Sequence, residues 1–324
     1  MEEILTKEAT SPQNAAATSV KSGKPKKKKW KPVHWMCFGI ALIPIVAFFL
    51  FNGMPVVLSF ISMFTEMDDN MLDTMRWNSF LNFGTVFGDK SFWKAWGITL
   101  WLASAQFVTL AISLVIAVLL EKKTKGAKAM QVLFFIPYIC STVAIAIMWS
   151  WIFHGDKLGV LNSVFGSNIK WLYDESHPYR LTWCIYITIL WQAPAYGIIM
   201  FKAALKNISS TLYEAADLDG ANGFQKFRYI TLPGIKSVTL FLVLAGITTG
   251  LGVFDSVLVL APVQWTGVAG PENAGLTVNY FIYLRGIADG DMEIAAVASW
   301  FLFAVTFVIT YPIIKWRNKV SEEG

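Results

Sequence analysis

At 324 residues the chain is long enough for one to three soluble domains, yet 55% of it is hydrophobic, only 15% is charged, and its mean hydropathy is +0.50. A water-soluble surface needs about 25% charged residues, so an ordinary soluble enzyme and a largely disordered chain are both excluded. The net charge of +5 would suit a nucleic-acid ligand, but the basic residues are shared among short loops between apolar runs, which is a membrane pattern.

Residues 1–35 read as a disordered basic tail, because they hold nothing that could bury a core. The run Lys26-Lys27-Lys28-Lys29-Trp30-Lys31 fits attachment to anionic lipid, and no nucleic-acid role is expected. The first apolar run, 36–61, has too long a leader and is too extended for a cleaved signal peptide. It reads as a first transmembrane helix. Five further runs, approximately 95–120, 131–153, 181–204, 238–261 and 294–314, reach or approach the roughly 20 residues that cross a bilayer. Pro44, Pro55, Pro137 and Pro194 interrupt some of them, which a helix bundle in a membrane tolerates. The expectation is an all-α integral membrane protein with six transmembrane helices.

Orientation follows from Lys and Arg. With both termini in the cytoplasm, 20 of the 27 basic residues lie inside and 7 outside, as the positive-inside rule requires. Acidic residues gather in the outer loops, among them Glu66, Asp89, Asp174, Asp289 and Asp291. No loop is large enough for an independent core. The chain has no phosphate-binding loop, nucleophile elbow or H-E-x-x-H motif. Cys37, Cys140 and Cys184 lie in or beside apolar runs without metal-ligand spacing, and His34, His154 and His177 are far apart. Neither a metal site nor a catalytic cluster is expected, and energy must come from a gradient or another polypeptide.

The longest cytoplasmic loop, 205–236, carries the informative pattern. Asn207-Ile208-Ser209-Ser210 offers N-cap hydroxyls to a short helix starting near Thr211. Glu214 is then expected in its first turn, where a carboxylate suits the helix dipole. Ala215 and Ala216 keep the surface thin, Gly220 fits a helix end, and Leu232-Pro233 marks the break before the fifth span. The sequence E-A-A-x3-G-x9-I-x-L-P, met here from Glu214 to Pro233, resembles the signature loop of binding-protein-dependent ABC importer permeases. An ordinary amphipathic loop helix would leave the spacing to Ile230 and Pro233 unexplained. The resemblance covers about 92–316, from Phe92-Trp93 through Phe135-Ile136-Pro137 and Gly159-Val160-Leu161-Asn162 to Gly270-Pro271, Thr277 and Tyr280. That arrangement is similar to the carbohydrate branch, specifically the first membrane subunit of maltose-type importers. The segment Ala261-Pro262-Val263-Gln264-Trp265-Thr266-Gly267 departs from that branch's pattern.

The resemblance implies a type I permease core, with the first span as an additional N-terminal helix. It implies that Glu214, Ala215, Ala216, Asp219 and Gly220 couple the chain to a partner ATPase. ATP and Mg would be bound there, and no cofactor on this chain. It further implies two ATP-binding subunits or domains, a second permease in a heterodimer, an external solute-binding protein and a bacterial cell membrane.

Polar groups inside a span are functional candidates because burying them is costly. Trp191, Gln192 and Tyr196 flank Pro194 in the fourth span, and Thr249 and Asp255 lie in the fifth. Aromatic faces, amides and hydroxyls suit a sugar, and counting back from Glu214 puts Tyr196 where maltose-type subunits contact theirs. Gly246-Ile247-Thr248-Thr249-Gly250 is also a small-xxx-small motif, so plain helix packing competes there. The expected function is a permease subunit importing a sugar or oligosaccharide. The rivals are the same architecture carrying another solute, and an integral-membrane enzyme.

Overall fold

The computed structural model describes residues 32–67, 74–121, 126–261 and 269–322. The basic tail up to Lys31, the lysine-rich stretch 122–125 and the departing segment from Pro262 lie outside those residues. The chain divides at Pro55 into two compact units. In the first, helix α1 (Pro32–Phe48) absorbs Pro44 without a break. A π-helical turn, Phe49–Gly53, comes next, and α2 (Met54–Ser62) starts with Pro55 in its first turn. Pro55 lacks an N–H for the ladder of this continuous helix, and the π-helical turn lies just ahead of it. The helical stretch Trp35–Ser62 is 28 residues long and apolar throughout, as a span must be.

The second unit begins at Val56, within α2, and continues with an antiparallel strand pair, β1 (Thr65–Glu66) against β2 (Arg76–Trp77), and the short helix α3 (Leu81–Gly88). Buried Asn82 pins them together, its amide donating to the Met63 and Thr65 carbonyls at 3.1 and 2.8 Å. Helix α4 (Lys90–Glu121) then runs through the centre of the bundle. Its buried positions include Phe92, Ala95, Thr99, Leu102, Ala105, Thr109, Ser113 and Ala117, which recur every three or four residues and form one continuous stripe. Gly250 lies against that stripe: a Cβ there would stand 3.0 Å from Ala103 Cα. The small-residue motif in the fifth span therefore serves helix packing, whatever else its threonines do.

The third apolar run is not a continuous span. It forms α5 (Ala127–Ile139) and α6 (Thr142–Ile152), bent by 101° at Cys140-Ser141. Pro137 removes one hydrogen-bond donor just upstream, and Cys140 and Ser141 take extended backbone angles. The described residues therefore hold five candidate spans, or up to six with the sharply bent pair counted as one. After α6 comes the one-turn α7 (Val160–Phe165). Asn162, 1% exposed, holds the loop around it. Its amide donates to the His154, Asp156 and Ile169 carbonyls, and its oxygen accepts from Ser167, Trp171 and the Ile169 N–H.

The fourth span is α8 (Tyr179–Gln192) running into α9 (Pro194–Lys206), with the joint at Ala193-Pro194. Next come three short elements: α10 (Ser210–Leu218), α11 (Gly223–Lys226) and, after a π-helical turn, α12 (Leu232–Gly234). The fifth span comprises α13 (Lys236–Leu251) and α14 (Asp255–Leu260), parted at Gly252–Phe254. Thr277 caps α15 (Val278–Tyr283). The hydroxyl of Thr99 in α4 accepts the Val278 N–H at 2.9 Å, and the fully buried Tyr280 donates its hydroxyl to the Ala261 carbonyl at 3.0 Å. These bonds give Thr277 and Tyr280 structural places. Helix α16 (Met292–Glu322) closes the unit.

Candidate functional site

Two regions collect the residues singled out from the sequence. The first is the loop around α10. Its N-cap is Ser209, whose hydroxyl accepts the Thr211 N–H at 3.3 Å. The other end is a Schellman motif: the Ala221 N–H reaches the Ala216 carbonyl at 2.9 Å and the Gly220 N–H reaches Asp217 at 3.1 Å. Gly220 closes it with φ +75°, where a side chain is strained. Helix α10 is docked against the 222–231 segment. Tyr213 and Thr231 share a hydroxyl–hydroxyl hydrogen bond of 2.9 Å, and Lys226 pairs with Asp217. Asn222 and Gln225 form a reciprocal capping box for α11.

Glu214, Ala215, Asp219 and Gly220 are exposed on this braced helix, with Ala216 half-buried. One expectation needs correcting. The helix begins at Ser210, so Glu214 falls past the first turn, where no acidic residue sits, and the dipole argument for it lapses because that effect fades beyond the first turn. Sequence reasoning missed Leu218 and Phe224, 91% and 73% exposed on the same loop. Their signal was an apolar side chain in an otherwise polar loop.

The second region is a groove of about 680 Å³ inside the second unit, within the size range of ligand sites. Gln192, Tyr196, Thr249 and Asp255 all line it. Trp191 does not. One residue along a helix turns the side chain by about 100°, and Trp191 instead meets Trp149 edge to face with ring centres 5.8 Å apart. The groove also takes in Gln106, Thr109 and Ser113 from α4, and Tyr138 and Thr142 from either side of the 101° bend. Sequence reasoning missed these, although the rule that found Gln192 applies equally to Gln106 in the middle of the second run.

The breaks in three spans converge on this groove: Cys140 before α6, Ala193 before α9, and Gly252 to Phe254 before α14 all line it. Non-helical backbone inside a membrane is tolerated where protein or a cavity can satisfy its polar groups. Tyr138 and Tyr196 stack with their ring planes 20° apart and centres 6.1 Å apart. Gln192 donates to the Thr142 hydroxyl at 3.4 Å, and Ser113 donates to the Pro194 carbonyl at 2.9 Å. The buried Thr109 hydroxyl has no hydrogen-bond partner among the described residues. Amides, hydroxyls and two aromatic faces can together bind a polyhydroxylated solute. Nothing in the set resembles a nucleophile paired with a base.

Near the start of α4 and of α16, Arg285 ties Asp89, at 2.9 Å, to Asp289 and Asp291. Burial raises the Asp89 pKa, but the Ser91 N–H and Arg285 outweigh it and hold the carboxyl below its ordinary value. Asp174 is likewise held low: slight desolvation is outweighed by the Ser176 N–H, His177 and Arg180.

The sequence profile of the family described as "Binding-protein-dependent transport system inner membrane component" matches residues 109–318. The chain belongs to that family. This permease is therefore a multi-pass membrane component of a binding-protein-dependent ABC importer, and a transport subunit rather than an enzyme. It is 29% identical over 289 residues to the probable ABC transporter permease protein YesP of Bacillus subtilis, covering 86% of this chain and 90% of the relative. The arabinooligosaccharides transport system permease protein AraP of Halalkalibacterium halodurans is 28% identical over 71% of this chain and 72% of its own. A solved bacterial ABC transporter involved in import of the acidic polysaccharide alginate shares the fold. The TM-score is 0.74 at 22% identity, over 88% of this chain and 96% of that one.

Proposed function

We propose that this permease conducts a sugar or oligosaccharide along the groove lined by α4, the α5–α6 bend, the α8–α9 joint and the α13–α14 break. A second, different permease subunit closes the groove's open side. ATP-binding subunits dock on α10 through Glu214, Ala215, Ala216, Asp219 and Gly220, and bind the ATP and Mg. Their closure is transmitted through the braced loop to α9 and α13, while an external binding protein delivers the solute. Both termini lie on the cytoplasmic side, where most of the basic residues fall.

One observation carries the reading: four residues chosen from two separate spans for sugar-like chemistry meet in one groove at the level of three helix breaks. Broken helices beside a central cavity are where transporters bind their cargo. AraP, a relative named for arabinooligosaccharides, supports the solute class.

Tyr196→Ala tests it. The change removes a stacking face and a hydroxyl, each worth about 0.5–1.5 kcal/mol, so initial uptake should fall about tenfold or more. The solute is the one that stabilises the cognate binding protein in a thermal-shift screen, supplied to membrane vesicles with saturating binding protein. Leu190→Ala, in the packed core beside the groove, is the packing control. Wild-type uptake by an assembled Tyr196→Ala transporter would remove the tyrosine from the path.

A further inference from the structure

The groove is uneven in charge. Among the described residues, Asp255 is the one formally charged side chain that lines it, with no Lys, Arg or His in the lining. The rest of its polar lining is amide and hydroxyl, from Gln106 and Gln192 to Thr249. The helix breaks do not reverse that balance. Asp255 stands in the first turn of its own half-helix and offsets that positive end. Pro194 occupies the first turn of α9 and has no N–H to give. The start of α6, at Ser141, has no side-chain cap, and its open N–H groups amount to roughly half a positive charge. That is less than one carboxylate.

An anion entering here would shed water, meet no cation and approach a like charge, each of which costs free energy. A neutral sugar meets the opposite situation. Its hydroxyls can donate to Asp255 and exchange donor and acceptor roles with the amides and hydroxyls around it. The fold itself leaves cargo charge open, since the alginate importer of the same fold serves an acidic polysaccharide.

We propose that this groove passes uncharged saccharides and rejects uronates and phosphorylated sugars, with Asp255 as the discriminating residue. The proposal rests on the sugar-path reading above and narrows it to one substrate class.

Cys140 provides a direct probe, because it is exposed and lines the groove while Cys184 is buried. In the assembled transporter carrying Cys37→Ser, two methanethiosulfonate reagents of similar size are compared, one cationic (trimethylammonium) and one anionic (sulfonate). Mass spectrometry of this chain follows modification at Cys140, and both rates are normalised to a free thiol in solution. The cation should be favoured about tenfold beyond the free-thiol ratio. Asp255→Asn should bring the ratio back towards the free-thiol value. If that variant fails to assemble, the same preference in the unchanged Asp255 background should shrink as salt rises from about 0.05 to 0.5 M. An anion that reacts as fast as the cation, or faster, overturns the charge selectivity whatever Tyr196→Ala does. A clear cation preference combined with normal uptake by Tyr196→Ala overturns the sugar path and leaves the charge selectivity standing.

Discussion

Gly220 offers a sharp test of the coupling loop, because its backbone and its surroundings make separate demands. With φ +75° it lies in the left-handed region, yet an added Cβ would meet nothing within 4 Å. Gly220→Ala therefore changes only the cost of the turn, about 1–2 kcal/mol, with no steric clash to confuse the result. Helix α10 is nine residues long with no fully buried residue, so it has little tertiary packing to absorb that loss. Its last turn should open, releasing the hydrogen bonds from Gly220 and Ala221 and displacing Asp219. About 1.4 kcal/mol corresponds to tenfold in an equilibrium, so transport-coupled ATP hydrolysis in proteoliposomes should fall roughly fivefold to tenfold. Gly220→Asn should retain more activity, since asparagine tolerates this conformation better. Gly223→Ala, also unobstructed but in helical backbone, should be near wild type. Full coupling in Gly220→Ala, or equal losses in Gly220→Ala and Gly223→Ala, would refute the argument.

A cysteine at Asp289 should react with an impermeant thiol reagent from outside and one at Lys206 should not; the reverse pattern would invert the topology. Asn162→Ala should cost about 2–4 kcal/mol, because three carbonyls lose their shared donor, and scanning fluorimetry should show the lower melting temperature. The Asp89 carboxyl is held below its ordinary value, so its link to Arg285 contributes stability above about pH 4 and loses it as pH falls through the lowered value. Asp89→Asn should be less stable than wild type near neutral pH, with the gap closing in an acid-unfolding series as pH falls below the ordinary carboxylate range.

The 205–236 loop was legible in the sequence because its determinants are local. A serine cap, a glycine at the left-handed position and a proline before the next span each act within a few residues, and α10 formed where they placed it. The misplacement of Glu214 by one residue shows the limit of that reading, since helix ends are uncertain by about that much. The groove was only half legible. The rule that polar groups inside spans are functional candidates found Gln192, Tyr196, Thr249 and Asp255, but it also took in Trp191. In a span that is apolar all round, periodicity does not reveal which face meets the bundle.

The sequence by itself determined that this chain lives in a membrane, how its loops divide the charge, and, to within a residue, where the short helix of the 205–236 loop begins and ends. These follow from composition and short-range chemistry. Only the tertiary structure decided that the third run bends at Cys140-Ser141 by 101°, and that Gln106 in α4 faces the same space as Asp255, about 150 residues later. Extended backbone in a span is tolerated only where neighbouring helices or a cavity answer its polar groups. Whether they do depends on how α4, α9 and α13 pack, a property that no single stretch of the sequence contains.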